Sequence, residues 1–277
     1  MKLPQLWIFE RPGILIPVFF FGLVPTHGQL LERECAAAAL GNTFLTRSGY
    51  CLPGQNQAGL GQIAENSISL QHSRPALCPD LGISSISVQW VRSHGAIGTM
   101  ISNYGIRGLG FTSAWLAYGL AFRKGWNAGV GIHFWHATIR EKWLHHPCIS
   151  FAVGIQAAMN DRLTLAAHVS HPAGWYSSHA QFVHHPMTIT VGGSWMILPM
   201  ISSFWEAEVS SGYPVRWKLG FEWKECRGWA LQIGAHDQPF TVSGGIAVNL
   251  TKWIIHVAFA FRVDRGSTPY TSLSYVW

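Results

Sequence analysis

The stretch Val215-Arg216-Trp217-Lys218-Leu219-Gly220-Phe221-Glu222-Trp223-Lys224 decides how this chain folds. Its odd positions are Val, Trp, Leu, Phe and Trp; its even positions are Arg, Lys, Gly, Glu and Lys. A period of two puts these sets on opposite faces of a β-strand. A soluble sheet would bury the odd face in a core. A membrane barrel would turn that face to lipid and point the charges into a wet lumen.

Composition favours the second arrangement. Charged residues make up 12% of the 277 positions, about half of the ~25% usual for a soluble domain. Hydrophobic residues make up 48%, with 14 Trp and 29 Gly. That is too little charge to cover a water-facing surface. Yet beyond the N-terminus no apolar run approaches the ~18 residues of a membrane helix. A membrane β-barrel reconciles the two, because its apolar residues are spread over every second position. The net charge of +6 comes from dispersed residues rather than a clustered basic patch, which argues against nucleic-acid binding.

The first residues read as an export signal. Met1-Lys2 and Arg11 carry positive charge, Gly13 to Val24 is apolar, and Thr26-His27-Gly28 offers a cleavage point. A signal peptide is therefore expected over residues 1–28. Exported proteins can hold disulfides, and Cys35 with Cys51, or Cys78 with Cys148, are candidate pairs; free buried thiols fit equally well. Cys226 is the fifth cysteine, and the spacing matches no zinc or redox motif.

Residues 29–64 do not alternate. Ala36-Ala37-Ala38-Ala39-Leu40-Gly41, a Ser48-Gly49 turn and Asn56-Gln57-Ala58-Gly59-Leu60 read as a short helix and compact turns. This series resembles the N-terminus of FadL-type outer-membrane proteins, especially the PorV- and PorQ-like branch of Bacteroidetes. The resemblance implies that residues 29–64 fold inside the barrel as a plug or hatch. It also implies that Asn56, Gln57, Ala58, Gly59 and Leu60 are the plug motif, with Gln57 where the family has proline. The likeness continues through the hairpins to the last residue.

From residue 65 onward, alternating segments are separated by turn chemistry. Fourteen are predicted: 66–73, 83–91, 96–104, 112–122, 126–138, 148–158, 163–170, 187–197, 200–210, 215–224, 229–235, 240–249, 253–263 and 270–277. The expected fold is therefore all-β, a single transmembrane antiparallel barrel of about fourteen strands with an N-terminal plug segment. In strand after strand one face is large and apolar while the other is Gly, Ser, Ala or polar. Trp253, Ile255, Val257, Phe259 and Phe261, for example, oppose His256, Ala258, Ala260 and Arg262. Short joins such as Arg123-Lys124-Gly125 and Leu198-Pro199 alternate with longer loops at 74–80, 139–147 and 171–186. Short turns at the periplasmic end and longer loops outside are expected of these barrels. Leu273, Tyr275 and Trp277 close the chain at alternate positions and resemble the insertion signal read by the barrel-assembly machinery.

Glu206 and Glu208 share the inward parity of 200–210, and Arg216, Lys218, Glu222 and Arg262 share it on later strands. Matched parity on neighbouring strands predicts a lumen charge network. Glu206 and Glu208 as a glycosidase-like acid/base couple are disfavoured, because both project from one wall. His145-His146-Pro147 and His184-His185-Pro186 sit at outer strand ends, but no carboxylate or cysteine completes a zinc or copper set, and no metal is assigned. His133, His168 and His256 face inward as hydrogen-bonded lumen residues. No phosphate loop, nucleophile elbow or zinc-helix motif occurs, so neither catalysis nor a cofactor is expected.

The resemblance allows two roles. One is an accessory or scaffold subunit of an outer-membrane secretion complex, of type IX or a related kind, or of an assembly complex. Its partners would be outer-membrane or periplasmic proteins and outer-membrane lipid. The other is a FadL-like plugged channel for hydrophobic small molecules, with a hydrophobic ligand as partner. The compact outer loops favour the accessory role. Either way the expected location is the outer membrane of a Gram-negative bacterium.

Overall fold

The computed structural model describes residues 34–47, 49, 52–106, 109–139, 148–176, 186–225 and 228–277. The signal peptide, Cys51, Cys226, and the histidine pairs at 145–146 and 184–185 lie outside the described residues. Cys78 carries a free thiol, so the Cys78–Cys148 pairing does not form.

Fourteen antiparallel strands close into one barrel, each bonded to its sequence neighbours, with the first also bonded to the last. They are β1 (Ser67–Ser73), β2 (Gly82–Arg92), β3 (Gly95–Ile106), β4 (Leu109–Arg123), β5 (Trp126–Ile139), β6 (Cys148–Ala158) and β7 (Leu163–Tyr176). Then come β8 (Thr188–Leu198), β9 (Ile201–Ser210), β10 (Arg216–Glu225), β11 (Trp229–His236), β12 (Thr241–Leu250), β13 (Trp253–Arg262) and β14 (Gly266–Val276). β1 pairs Ser67 with Val276 and Ser73 with Tyr270, so closure leaves no edge strand exposed. Ten residues at ~3.3 Å each, tilted by ~40°, rise roughly the 25 Å of an outer-membrane apolar band.

The decisive stretch turns its odd face outward. Trp217 is 63% exposed and Leu219 46%, whereas Lys218 is 4% exposed. Ile255, Val257, Phe259 and Phe261 on β13 also face out. A water-soluble protein would not display such a continuous apolar belt while enclosing its lysine, because both choices cost free energy in water. Against acyl chains the apolar belt is favourable, and the enclosed charges need only find partners.

One segment departs from its expected form. The loop anticipated from His171 begins later, because β7 continues to Tyr176 through a bulge. Ser150 pairs with Gly174 and Ala152 with Ser170, so His171, Pro172 and Ala173 together oppose Phe151. Pro172 lacks the N–H a ladder requires, and a bulge is where a strand tolerates it. His171 sits at φ 54° and is buried. The bulge moves an odd-numbered side chain into the lumen, which the strict alternation of β7 would have turned outward.

Candidate functional site: the barrel lumen

The barrel encloses part of its own chain. α1 (Cys35–Ala39) packs against β11–β14, while the 3-10 turns at Leu52–Gly54 and Gln57–Gln62 pack against β3–β6. Leu40, Leu45 and Leu60 have no exposed surface. The small inward residues explain how a folded segment fits. A Cβ on Gly234 would overlap the backbone of Leu40 and Gly41, and one on Gly129 would overlap that of Gln57 and Ala58. The Gly-rich inward parity thus leaves room for backbone against backbone.

Such an irregular segment has many backbone groups with no secondary-structure partner, and burial demands that they be satisfied. Inward side chains do this from several strands. Gln71 of β1 accepts the Cys35 N–H (2.8 Å). Ser243 of β12 accepts the Gly41 N–H (3.0 Å) and donates to Ala39 O (3.1 Å). Gln156 of β6 donates to Thr46 O (3.0 Å).

Glu206 of β9 binds the segment through a carboxylate. Its Oε1 accepts the N–H groups of Phe44 (2.5 Å) and Leu45 (2.7 Å). Its Oε2 lies 3.3 Å from Lys218 Nζ. Lys218 also meets Glu208 Oε2 at 2.7 Å, and Arg216 Nη1 meets Glu208 Oε1 at 2.9 Å. Register explains the set: Arg216 opposes Glu208 and Lys218 opposes Glu206 across the β9–β10 ladder. Lys218 Nζ sits 4.8 Å above the Phe44 ring, adding a cation–π contact to the same turn. An unpaired charge here would cost several kcal/mol, which pairing on three sides offsets.

Two of the sequence-derived network residues lie elsewhere. Glu222 takes Gln232 Nε2 (2.7 Å) and Lys224 Nζ (3.0 Å), with Arg47 Nη1 at 3.9 Å. It lines a polar cavity of about 440 Å³ at the end holding the chain terminus, together with Glu34, Arg47, Glu225 and His256. Burial pushes the Glu34 carboxyl up to about 7, against the pull of Arg47 and a hydrogen bond from Gln55. Arg262 joins neither group. It forms a two-pronged pair with Asp264 (3.0 and 2.7 Å) in the β13–β14 turn, which holds the Asp264 carboxyl below its usual range.

The motif residues 56–60 form the floor of the segment's second half. Asn56 Nδ2 donates to Leu45 O (2.6 Å), and its Oδ1 accepts the Ala58 N–H (3.2 Å). Gln57 stands where the FadL-type motif has proline, and it works through its side chain. Nε2 donates to Pro53 O (3.0 Å) and Gln55 O (2.8 Å), while Oε1 meets His168 Nε2 (3.1 Å). Ala58, Gly59 and Leu60 are buried, with Leu60 against Ala96 and Ala117. At the chain's end Leu273 and Trp277 face outward, and the Tyr275 ring stacks on Trp277 (6.0 Å).

An inward aromatic surface was not read from the sequence. It lies toward the end away from the chain terminus. Trp115 stacks on His133 (4.2 Å, 6° between planes), Phe111 on Trp135 (5.3 Å) and Tyr104 on Phe111 (4.7 Å). Ser113 holds His133 Nε2 (2.8 Å), and Ser150 holds His171 Nδ1 (2.7 Å). Met100, Trp115 and Ala152 form one buried cluster. A Cβ added to Gly54 would meet Met100 and Trp115, so this surface ends on the Pro53–Gly54 turn. Its signal was available: Trp115 and Trp135 occupy the otherwise small or polar parity of β4 and β5.

No known family profile and no curated protein matches the sequence. Solved structures do match the coordinates. The Ralstonia pickettii toluene transporter TbuX aligns with a TM-score of 0.68 at 12% identity, over 90% of this chain and 100% of that one. The Pseudomonas putida toluene transporter TodX gives 0.65 at 10% identity, over 89% and 98%. A Pseudomonas aeruginosa FadL homologue gives 0.62 at 10%, over 88% and 98%. The barrel has the FadL-type fold. With its outward apolar belt, it is a transmembrane barrel of the Gram-negative outer membrane. The narrower PorV/PorQ branch, its Bacteroidetes origin and the role in secretion find no support among these neighbours, which are two toluene transporters and a FadL homologue.

Proposed function

We propose that this chain is a plugged outer-membrane channel for hydrophobic small molecules, aromatic hydrocarbons among them. The observation that carries the reading is the stacked surface of Tyr104, Phe111, Trp115 and Trp135 facing the lumen above the Pro53–Gly54 turn. Inward aromatics serve no need of a water-filled pore, whereas they solvate a flat apolar solute. The shared fold with toluene transporters supports the same reading. Residues 34–64 act as the plug, the Glu206–Lys218–Glu208–Arg216 group is its anchor, and Leu273, Tyr275 and Trp277 are the assembly signal. The protein works by passage rather than catalysis, and its surroundings are outer-membrane lipid.

The test is uptake of labelled toluene by cells whose own hydrocarbon channels are deleted, with and without this barrel. Uptake should rise with the barrel and fall several-fold in Trp115→Ala. Equal uptake with and without a correctly inserted barrel would overturn the reading.

A further inference from the structure

A second feature lies on the outside of the barrel. Near the turn between β6 and β7 the lipid-facing wall carries a hollow of about 550 Å³ lined by Asn160, Asp161, Arg162, Leu163, Trp195 and Trp205. That volume falls within the range of ligand sites. It sits at the barrel end that carries the chain terminus and the short turns, the end that faces the periplasm, and so the phospholipid leaflet, in barrels of this kind. Its floor exists because residue 193 is glycine. Trp205 opposes Gly193 across the β8–β9 ladder, and a Cβ there would press on the Trp205 ring and on Leu165. Trp195, opposite Leu163, forms the second wall.

The rim is polar and held in shape. Asn160 Oδ1 accepts the N–H groups of both Arg162 and Leu163 (2.8 Å each), and Met196 N–H donates to Arg162 O (2.8 Å). Asp161 and Arg162, both exposed, line this aromatic hollow. Among the described residues neither side chain has an ion-pair partner. One positive and one negative group above an apolar trough complement a lipid bearing a phosphate and a primary ammonium.

We propose that this hollow binds one molecule of phosphatidylethanolamine, with its phosphate on Arg162, its ammonium on Asp161 and its upper acyl chain between Trp195 and Trp205. Guanidinium grips phosphate through two parallel donors, and the carboxylate oxygens accept from the N–H donors of a primary ammonium. A quaternary head group has no N–H to give Asp161, and an anionic one without an ammonium is repelled by it. The site is independent of the transport reading, since nothing in it faces the lumen.

The test is native mass spectrometry of the full-length barrel, delipidated and then offered equal amounts of phosphatidylethanolamine, phosphatidylglycerol and phosphatidylcholine. One phosphatidylethanolamine should be retained in several-fold excess over either rival. Arg162→Ala should lower its retention about tenfold, the size of one charge-assisted contact. Asp161→Asn should move the preference toward phosphatidylglycerol. Lys252→Ala, in another turn at the same end, should change nothing. Equal retention of the three lipids, a wild-type preference for phosphatidylglycerol or phosphatidylcholine, or an unchanged Arg162→Ala would each overturn the proposal. Heat-modifiability on gels checks that every variant is folded.

Discussion

Replacing Glu206 by Gln should loosen the internal segment without unfolding the barrel. The carboxylate accepts two backbone N–H groups through Oε1, from Phe44 and Leu45, and faces Lys218 through Oε2. Gln keeps the shape and one acceptor oxygen but removes the charge. A hydrogen bond to a charged acceptor contributes ~1.5–3 kcal/mol, against ~0.5–1.5 for a neutral one. Two such bonds therefore lose about 2 kcal/mol together. Lys218 keeps Glu208 at 2.7 Å, so no buried cation is stranded. When exchange follows local opening, about 2 kcal/mol raises the exchange rate roughly 30-fold. Hydrogen exchange read by mass spectrometry on peptides spanning residues 40–47 should show this rise. Peptides from β2 and β12 should keep their protection. Glu206→Ala should go further, since it leaves two N–H groups without an acceptor. If residues 44 and 45 exchange within twofold of wild type in Glu206→Gln, then Glu206 is not the anchor, and the lumen charges only brace the wall.

Three other outcomes follow from the same structure. Glu34 titrates near 7 in the folded protein, above its ordinary carboxyl value of 4.5. The folded state therefore binds more protons between these values. Its neutral form stabilises the seated segment fully below about pH 4.5, and this contribution of up to ~3 kcal/mol is lost as pH rises through 7. Cleavage by trypsin at Arg47 should accelerate from pH 6 to 8, and Glu34→Gln should flatten that profile. Gly234→Val would drive a side chain into Leu40 and Gly41. It should expel the first half of the segment, at a cost of about 3 kcal/mol, while the barrel keeps its heat-modifiable gel shift. Phe221→Lys places a charge on the outward face near mid-strand. It should destabilise the barrel by ~2–4 kcal/mol in urea titrations of folding into vesicles, and an equal stability would remove the membrane-facing assignment.

The alternation of β10, taken with the low charge of the whole chain, was enough to name the fold. Trp217, Leu219, Phe221 and Trp223 against Arg216, Lys218 and Glu222 leave one arrangement that satisfies both faces when charge is scarce, and strand periodicity is a local property that sequence carries directly. The fourteen strands were legible for the same reason. The position of Arg262 was not, because parity gives the side of the wall but not the height along it; Asp264, two residues on, takes the guanidinium instead. The continuation of β7 past His171 was hidden because Pro172 reads as a strand stop unless a bulge absorbs it.

What only the tertiary structure decided is how distant pieces meet inside the wall. Asn56 and Gln57 look like loop residues until closure brings Leu45 and His168 beside them. Trp115, His133 and His171 come from three strands and meet only because curvature turns their faces toward one axis. Glu206 reads as one half of a salt bridge, yet its other oxygen holds a turn 161 residues earlier in the chain. Face preference is a property of each residue and its immediate neighbours. The partner across a lumen depends on strand number, register and what fills the space, and no short stretch of sequence contains those.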